Sequence, residues 1–293
     1  MLSRFTLCAI LFAFPLSGWA NGILTSIKPI QMITHELTYQ VSQPDVLLAA
    51  NASPHDYAFR PSDVKRIREA SLVIWFGPDL EPFLTRALSQ HPNVLTLSEI
   101  PHLALRAYGE DELHDHHGHS HGSHDPHFWL GVEQVKQVAQ AIVDHLVAMD
   151  PENSAQYQGN LSRFMTRLDE TDQHIAKQLA PVKEQPYYVF HDAYAYFEQH
   201  YGLNNLGNFT VSPERRPGAK TLISIRRSLT DHQVKCVFSE PQFQPAVIET
   251  VVRGTQVNIG QLDPLGTTIP VQAGSYFEFL QQLSNSFHQC LSQ

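Results

Sequence analysis

The chain has 293 residues, 42% of them hydrophobic, with 16 Phe and 10 Tyr. That is core material for one large or two ordinary domains, and it excludes a chain disordered throughout. Lys and Arg number 20 against 29 Asp and Glu, a formal charge of -9 with no basic stripe to follow a phosphate backbone, so nucleic acid is excluded as a partner; the residue out of proportion is histidine, with 17 copies in bunches.

Residues 1–20 place one cation, Arg4, before an apolar run at 7–16 and then Ser17-Gly18-Trp19-Ala20. This predicts a signal peptide cut near Ala20 and export to the periplasm, with Cys8 leaving in the peptide. No later run approaches the roughly 20 apolar residues of a membrane span, so the mature chain is expected to be soluble. Short apolar runs bounded by Pro, Gly or Asn predict strands at 46–48, 71–76 and 94–97, with helical spacing at 60–70 and 79–89 between them. That βαβα order is the mark of a parallel sheet with helices on its faces, an N-terminal lobe over 21–149.

Within that lobe, residues 109–125 hold His114, His116, His117, His119, His121 and His124 among acids, glycines and serines. A segment so poor in apolar residues cannot offset its ordering entropy and is expected to be a mobile loop whose imidazoles offer weak metal sites. Next, Val132, Val135, Val138, Ala139, Ile142, Val143 and Leu146 form one helical stripe. Asp150-Pro151 then opens a second helix, with Tyr157, Leu161, Phe164, Leu168, Ile175 and Leu179 on one face until Pro181. A helix over 150–181 would be a stiff strut, unlike a Gly-rich hinge. After it, strands at 187–190, 203–206, 235–238 and 257–259 alternate with helices at 220–229 and 245–253, a C-terminal lobe over 182–293. The expected fold is α/β: two lobes, each a parallel sheet flanked by helices, joined by one long rigid helix.

Three further histidines stand in structured surroundings: His55 in Ser53-Pro54-His55-Asp56, His127 in Asp125-Pro126-His127-Phe128, and His191 in Phe190-His191-Asp192-Ala193. Each follows a predicted strand or opens the turn to a helix, and ligand sites of open α/β sheets lie beyond the carboxyl ends of strands. His55 and His191 fall in different lobes, so a shared site would bridge the cleft. Neutral imidazole is the usual ligand of a borderline divalent ion. Asp56 and Asp192 read as helix caps or as acceptors that fix imidazole tautomers, with Glu240 a further acceptor. Cys236 and Cys290, an even pair in an oxidising compartment, read as a disulfide worth about 4 kcal/mol. As zinc ligands the two would make a poor structural site.

The chain resembles a known family, the metal-binding proteins of ABC importers, and within it the zinc-uptake proteins of the ZnuA type. Ala52-Ser53-Pro54-His55-Asp56-Tyr57 with Arg60-Pro61-Ser62-Asp63, Asp125-Pro126-His127, His191-Asp192-Ala193-Tyr194, Ser239-Glu240-Pro241-Gln242 and Leu262-Asp263-Pro264-Leu265-Gly266 match in order. The resemblance implies a metal in the interlobe cleft, delivery to a membrane permease powered by a cytoplasmic ATPase, and a disulfide between Cys236 and Cys290. It also puts His55, His127 and His191 on the family's metal histidines and Asp263 on an aspartate that ligates in the manganese branch. Three imidazoles favour Zn²⁺ over Mn²⁺. Pro54 stands where some zinc members carry a ligating Glu, which leaves Asp263 or a water for the fourth position. A monomer that carries metal as cargo is expected. A manganese carrier, a periplasmic zinc buffer and a zinc hydrolase are the other readings, the last disfavoured because the chain has no His-Glu-x-x-His helix.

Overall fold

The computed structural model describes residues 22–107, 124–211, 213, 216–231, 233–243 and 246–293. The expected signal peptide, and His114, His116, His117, His119 and His121 of the histidine-rich segment, lie outside the described residues. The chain forms two four-stranded sheets, both wholly parallel. The first comprises β1 (Ile23–Thr25), β2 (Asp45–Val46), β3 (Leu72–Trp75) and β4 (Val94–Thr96), in the order β2-β1-β3-β4. The second comprises β5 (Tyr187–His191), β6 (Asn205–Thr210), β7 (Cys236–Ser239) and β8 (Asn258–Gln261), in the order β6-β5-β7-β8. One winding scheme is therefore used twice.

Among the described residues the α-helices are α1 (Lys28–Leu37), α2 (Pro61–Glu69), α3 (Thr85–Leu88), α4 (Val132–Met149), α5 (Ser154–Leu179), α6 (Ala195–Tyr201), α7 (Ala219–Asp231), α8 (Ala246–Val252) and α9 (Ser275–Leu291). The stripes expected along α4 and α5 are the faces these helices bury. α5 runs for 26 residues without interruption, about 39 Å at 1.5 Å per residue. It packs along α4, α1 and α9, and its buried Asn160 donates to the carbonyls of Leu37 and Tyr39 at 2.9 and 3.0 Å. Among the described residues no helix is long and apolar enough to cross a membrane.

Several expected elements differ. The helix expected over 79–89 is a short 3₁₀ turn, Pro82–Leu84, followed by the single turn of α3. Pro82 sets that start, since it lacks an N–H and disfavours the helical region for the residue before it. β1 and α1 were not expected at all. The three residues of β1 are too few to show a period, yet β1 is central and fully buried. β6 begins at Asn205 and runs four residues beyond the expected 206, through Gly207, Asn208, the buried Phe209 and Thr210, a stretch with no apolar run. α6 has Tyr194 at its N-cap and α2 has Arg60, so neither Asp192 nor Asp56 caps a helix.

One apolar core runs continuously from β1 and α1 through α4 and α5 to α9 and the inner face of the second sheet. A second cluster, with Tyr188, Phe190, Phe209, Ile225 and Val237, fills the opposite face of that sheet beneath α7 and α8. The division follows strand parity: Tyr187 and Val189 face the shared core, Tyr188 and Phe190 the other side. His191 has the parity of Tyr187 and Val189. On β7, Cys236 and Phe238 face the shared core, and Glu240 continues that series beyond the strand end.

Cys236 is bonded to Cys290 of α9 across a sequence separation of 54, which ties the last helix to a central strand. Removing that closure from the unfolded state, by reduction or by Cys290→Ser, is expected to cost about 4 kcal/mol. Denaturant unfolding with and without reductant measures it, and an unchanged midpoint would show that the bond carries no stability.

Candidate metal centre

Each of the three histidines is delivered by a different kind of local structure. His55 lies in the loop between β2 and α2, where its N–H donates to Ser53 Oγ at 3.2 Å. His127 opens the 3₁₀ turn Phe128–Leu130 that leads into α4. His191 is the last residue of β5. Together they form a single cluster in which one ligand atom from each lies within 4.8 Å of the others. Ring centroids are 5.5 Å apart for His55 and His127, 5.3 Å for His55 and His191, and 4.9 Å for His127 and His191. Nitrogens around a tetrahedral zinc lie about 3.3 Å apart at Zn–N distances of roughly 2.0–2.1 Å, a difference on the scale of side-chain rotation.

Two buried carboxylates hold two of the rings. Asp125 Oδ1 lies 2.7 Å from His127 Nδ1 and also accepts the His127 backbone N–H at 3.0 Å. Glu240 Oε1 lies 3.2 Å from His191 Nδ1 and accepts the Tyr194 hydroxyl at 3.1 Å. A carboxylate at Nδ1 keeps the proton there, and Nε2 is then the nitrogen with the lone pair. Both rings are thereby fixed in the tautomer a metal requires. Burial holds the His127 imidazole well below the usual histidine range, and the nearby Arg106 guanidinium adds to the effect, so the ring is neutral. Burial also pushes the Asp125 carboxyl up to about 6, against the opposing pull of the His127 N–H and of Arg106.

Asp263 is not part of the cluster. Its Oδ1 accepts from Leu265 N–H at 3.1 Å and Gln242 Nε2 at 3.2 Å, and its Oδ2 accepts from the N–H and hydroxyl of Thr267, both at 2.6 Å. It folds its own loop, in which Gly266 takes φ +60°. That loop presents the Pro264 carbonyl to Trp129 Nε1 at 2.7 Å. A small, partly open pocket of about 20 Å³ adjoins the histidines, lined by Trp129, Pro213, Gln242, Phe243, Pro264 and Leu265. Its largely apolar walls lower the local dielectric and strengthen any charge interaction inside.

Asp125 corrects the reading of 109–125 as one mobile loop, because its side chain is fully buried. His124, of the same segment, pairs with Ala107 in an antiparallel bridge rather than standing with the three clustered histidines. The signal that could have marked Asp125 is its place two residues before His127, where an Asp side chain reaches forward to the backbone and ring of the histidine.

Such an arrangement can hold a borderline divalent cation between two sheet-bearing lobes, and that defines the class: a two-lobed metal-binding protein. The comparisons with known proteins narrow it. The family model for ZnuA, zinc-uptake complex component A periplasmic, matches residues 23–290, and the chain belongs to this family. It is 44% identical to the high-affinity zinc uptake system protein ZnuA of Yersinia pestis, over 97% of this chain and 95% of that one. The protein of the same name from Haemophilus ducreyi is 41% identical over 92% and 93% of the two chains. A crystal structure of a ZnuA superposes with a TM-score of 0.79 at 22% identity, covering 93% of this chain and 99% of the other, a likeness of fold.

Proposed function

We propose that the protein is a periplasmic zinc carrier that captures Zn²⁺ on His55, His127 and His191 and hands it to an ABC-type membrane permease driven by a cytoplasmic ATPase. The observation that carries this is the meeting of three imidazoles from both lobes within 4.8 Å. Three nitrogen donors suit zinc over manganese, which prefers more oxygen. The engagement of both Asp263 oxygens within its own loop favours water, held in the adjoining cavity, as the fourth ligand. Membership of a family of transport components favours cargo binding over catalysis.

Calorimetry with Zn²⁺ and Mn²⁺ tests the reading, using the mature protein and a form in which residues 108–123 are replaced by a two-residue turn. The deletion stops short of His124 because Asp125 belongs to the His127 site. One tight zinc site, with much weaker manganese, is expected in both forms, and the weak sites disappear with the insert. Loss of the tight site along with the insert would put the ligands there and overturn the assignment.

The pH dependence follows from the same groups. Protons compete with the metal for imidazoles, whose ordinary pKa is about 6.5. Protonation of Asp125 below about 6 also removes the acceptor behind His127. Both effects have one sign: affinity is full above neutrality and falls as pH drops below about 6, where Asp125 takes up a proton, and further at lower pH as protons compete for the buried imidazole. Chelator competition at pH 7.5, 6.5 and 5.5 should show progressive weakening, and a flat profile would count against imidazole ligation.

A further inference from the structure

Behind the histidines, the two lobes are joined at Arg106. Its guanidinium reaches two carboxylates: NH2 lies 2.8 Å from Asp192 Oδ2, and Nε lies 3.7 Å from Asp125 Oδ2. Both carboxylates are buried and both are sequence neighbours of the clustered histidines, Asp192 directly after His191 and Asp125 two residues before His127. Asp125 thus turns one oxygen to the His127 ring and the other to Arg106. The backbone repeats the connection. Arg106 N–H donates to the Tyr196 hydroxyl at 2.9 Å, that hydroxyl donates to the Asp125 carbonyl at 2.8 Å, and Asp125 N–H donates to the Arg106 carbonyl at 2.8 Å. Asp192 and Tyr196 come from the second lobe, Arg106 and Asp125 from the first.

We propose that Arg106 is a positioning residue for the metal site: through Asp125 and Asp192 it fixes His127 and His191 relative to each other across the lobe boundary, and so sets how tightly and for how long the cation is held. The proposal rests on the three histidines being the zinc site. Chemically, one delocalised cation with several N–H donors can serve two carboxylates at once, which a lysine ammonium does less well. Without it, two buried carboxylates would lose the cation they share, and the Asp125 side chain would have less to hold its angle toward His127.

The test is Zn²⁺ affinity by chelator competition, zinc release rate, and the visible absorption of Co²⁺ bound in place of zinc, which reports ligand geometry. Wild type is compared with Arg106→Ala, Arg106→Lys, Asp192→Asn and the Ala/Asn double variant. Arg106→Ala is expected to weaken zinc about 10–100-fold, the range for loss of an outer partner of a metal ligand, mainly through faster release and with an altered Co²⁺ spectrum. Arg106→Lys should recover part of the loss, and the double variant should be little worse than Arg106→Ala alone. Affinity within twofold of wild type and an unchanged Co²⁺ spectrum in Arg106→Ala would overturn the proposal, even if its melting temperature fell. If that variant does not fold, Asp192→Asn probes the same ion pair from the other lobe and decides by the same two readouts. Failure of the wild type itself to bind zinc tightly would instead defeat the zinc-carrier reading.

Discussion

Replacing His191 by alanine is expected to abolish high-affinity zinc binding, by more than the roughly 10–100-fold that loss of an outer partner costs. The ring is the second sheet's direct contribution to the cluster, at the end of a fully buried strand. Its removal leaves two imidazoles, both on the first lobe, and a Glu240 carboxylate that still accepts the Tyr194 hydroxyl. His200→Ala serves as the control, since His200 pairs with Asp172 on the surface at 2.7 Å, away from the cluster. Competition against a chromophoric chelator at pH 7.5 measures both. Wild-type affinity in His191→Ala would remove the second lobe from the site, and with it the reason for a two-lobed carrier.

Phe287→Ala should lower stability by about 3–5 kcal/mol. This fully buried ring of α9 lies against Tyr187 at 5.4 Å, Phe197 at 5.5 Å, Phe238 at 5.0 Å and Tyr194 at 6.2 Å between centroids, so its deletion leaves a cavity at the meeting point of β5, β7 and α6. Such a cost is roughly a fifth or more of a typical domain's unfolding free energy of about 5–15 kcal/mol. Tyr194 carries the effect onward, because its hydroxyl steadies the Glu240 carboxylate that orients His191. A smaller, several-fold weakening of zinc should accompany the stability loss. Denaturant midpoints give the first quantity and chelator competition the second. A shift under 1 kcal/mol would show that the surrounding rings collapse into the space.

The three clustered histidines stand out in the sequence because each lies close to an Asp and an aromatic residue, with Pro directly before His55 and His127, and α4 and α5 write their buried faces as regular stripes. What could not be read depends on contacts distant in sequence. Arg106 meets Asp125 after 19 residues and Asp192 after 86, and no local pattern announces either pairing. Asp125 was hidden by composition: it closes a run of histidines, glycines and acids whose average character predicts exposure, while its own carboxylate is buried by what folds over it. Asp192 looked like a helix cap because α6 follows closely, but the turn at Ala193 and Tyr194 moves the helix start beyond it and leaves its carboxylate to Arg106. The strand β1 was missed for a different reason: a central parallel strand buried on both faces shows no alternation, and three residues are too few to supply another signal.

The seam between α1 and α9 gives the molecule an order of completion. Lys28 donates to the Thr267 carbonyl, Glu36 accepts from Gly274 N–H, and the 17 residues of α9 lie against α1 near the start of the chain as well as against α5. The inner face of α1 is therefore completed only once α9 has been made and has docked. Folding in step with synthesis would leave that apolar face open until nearly the whole chain is available.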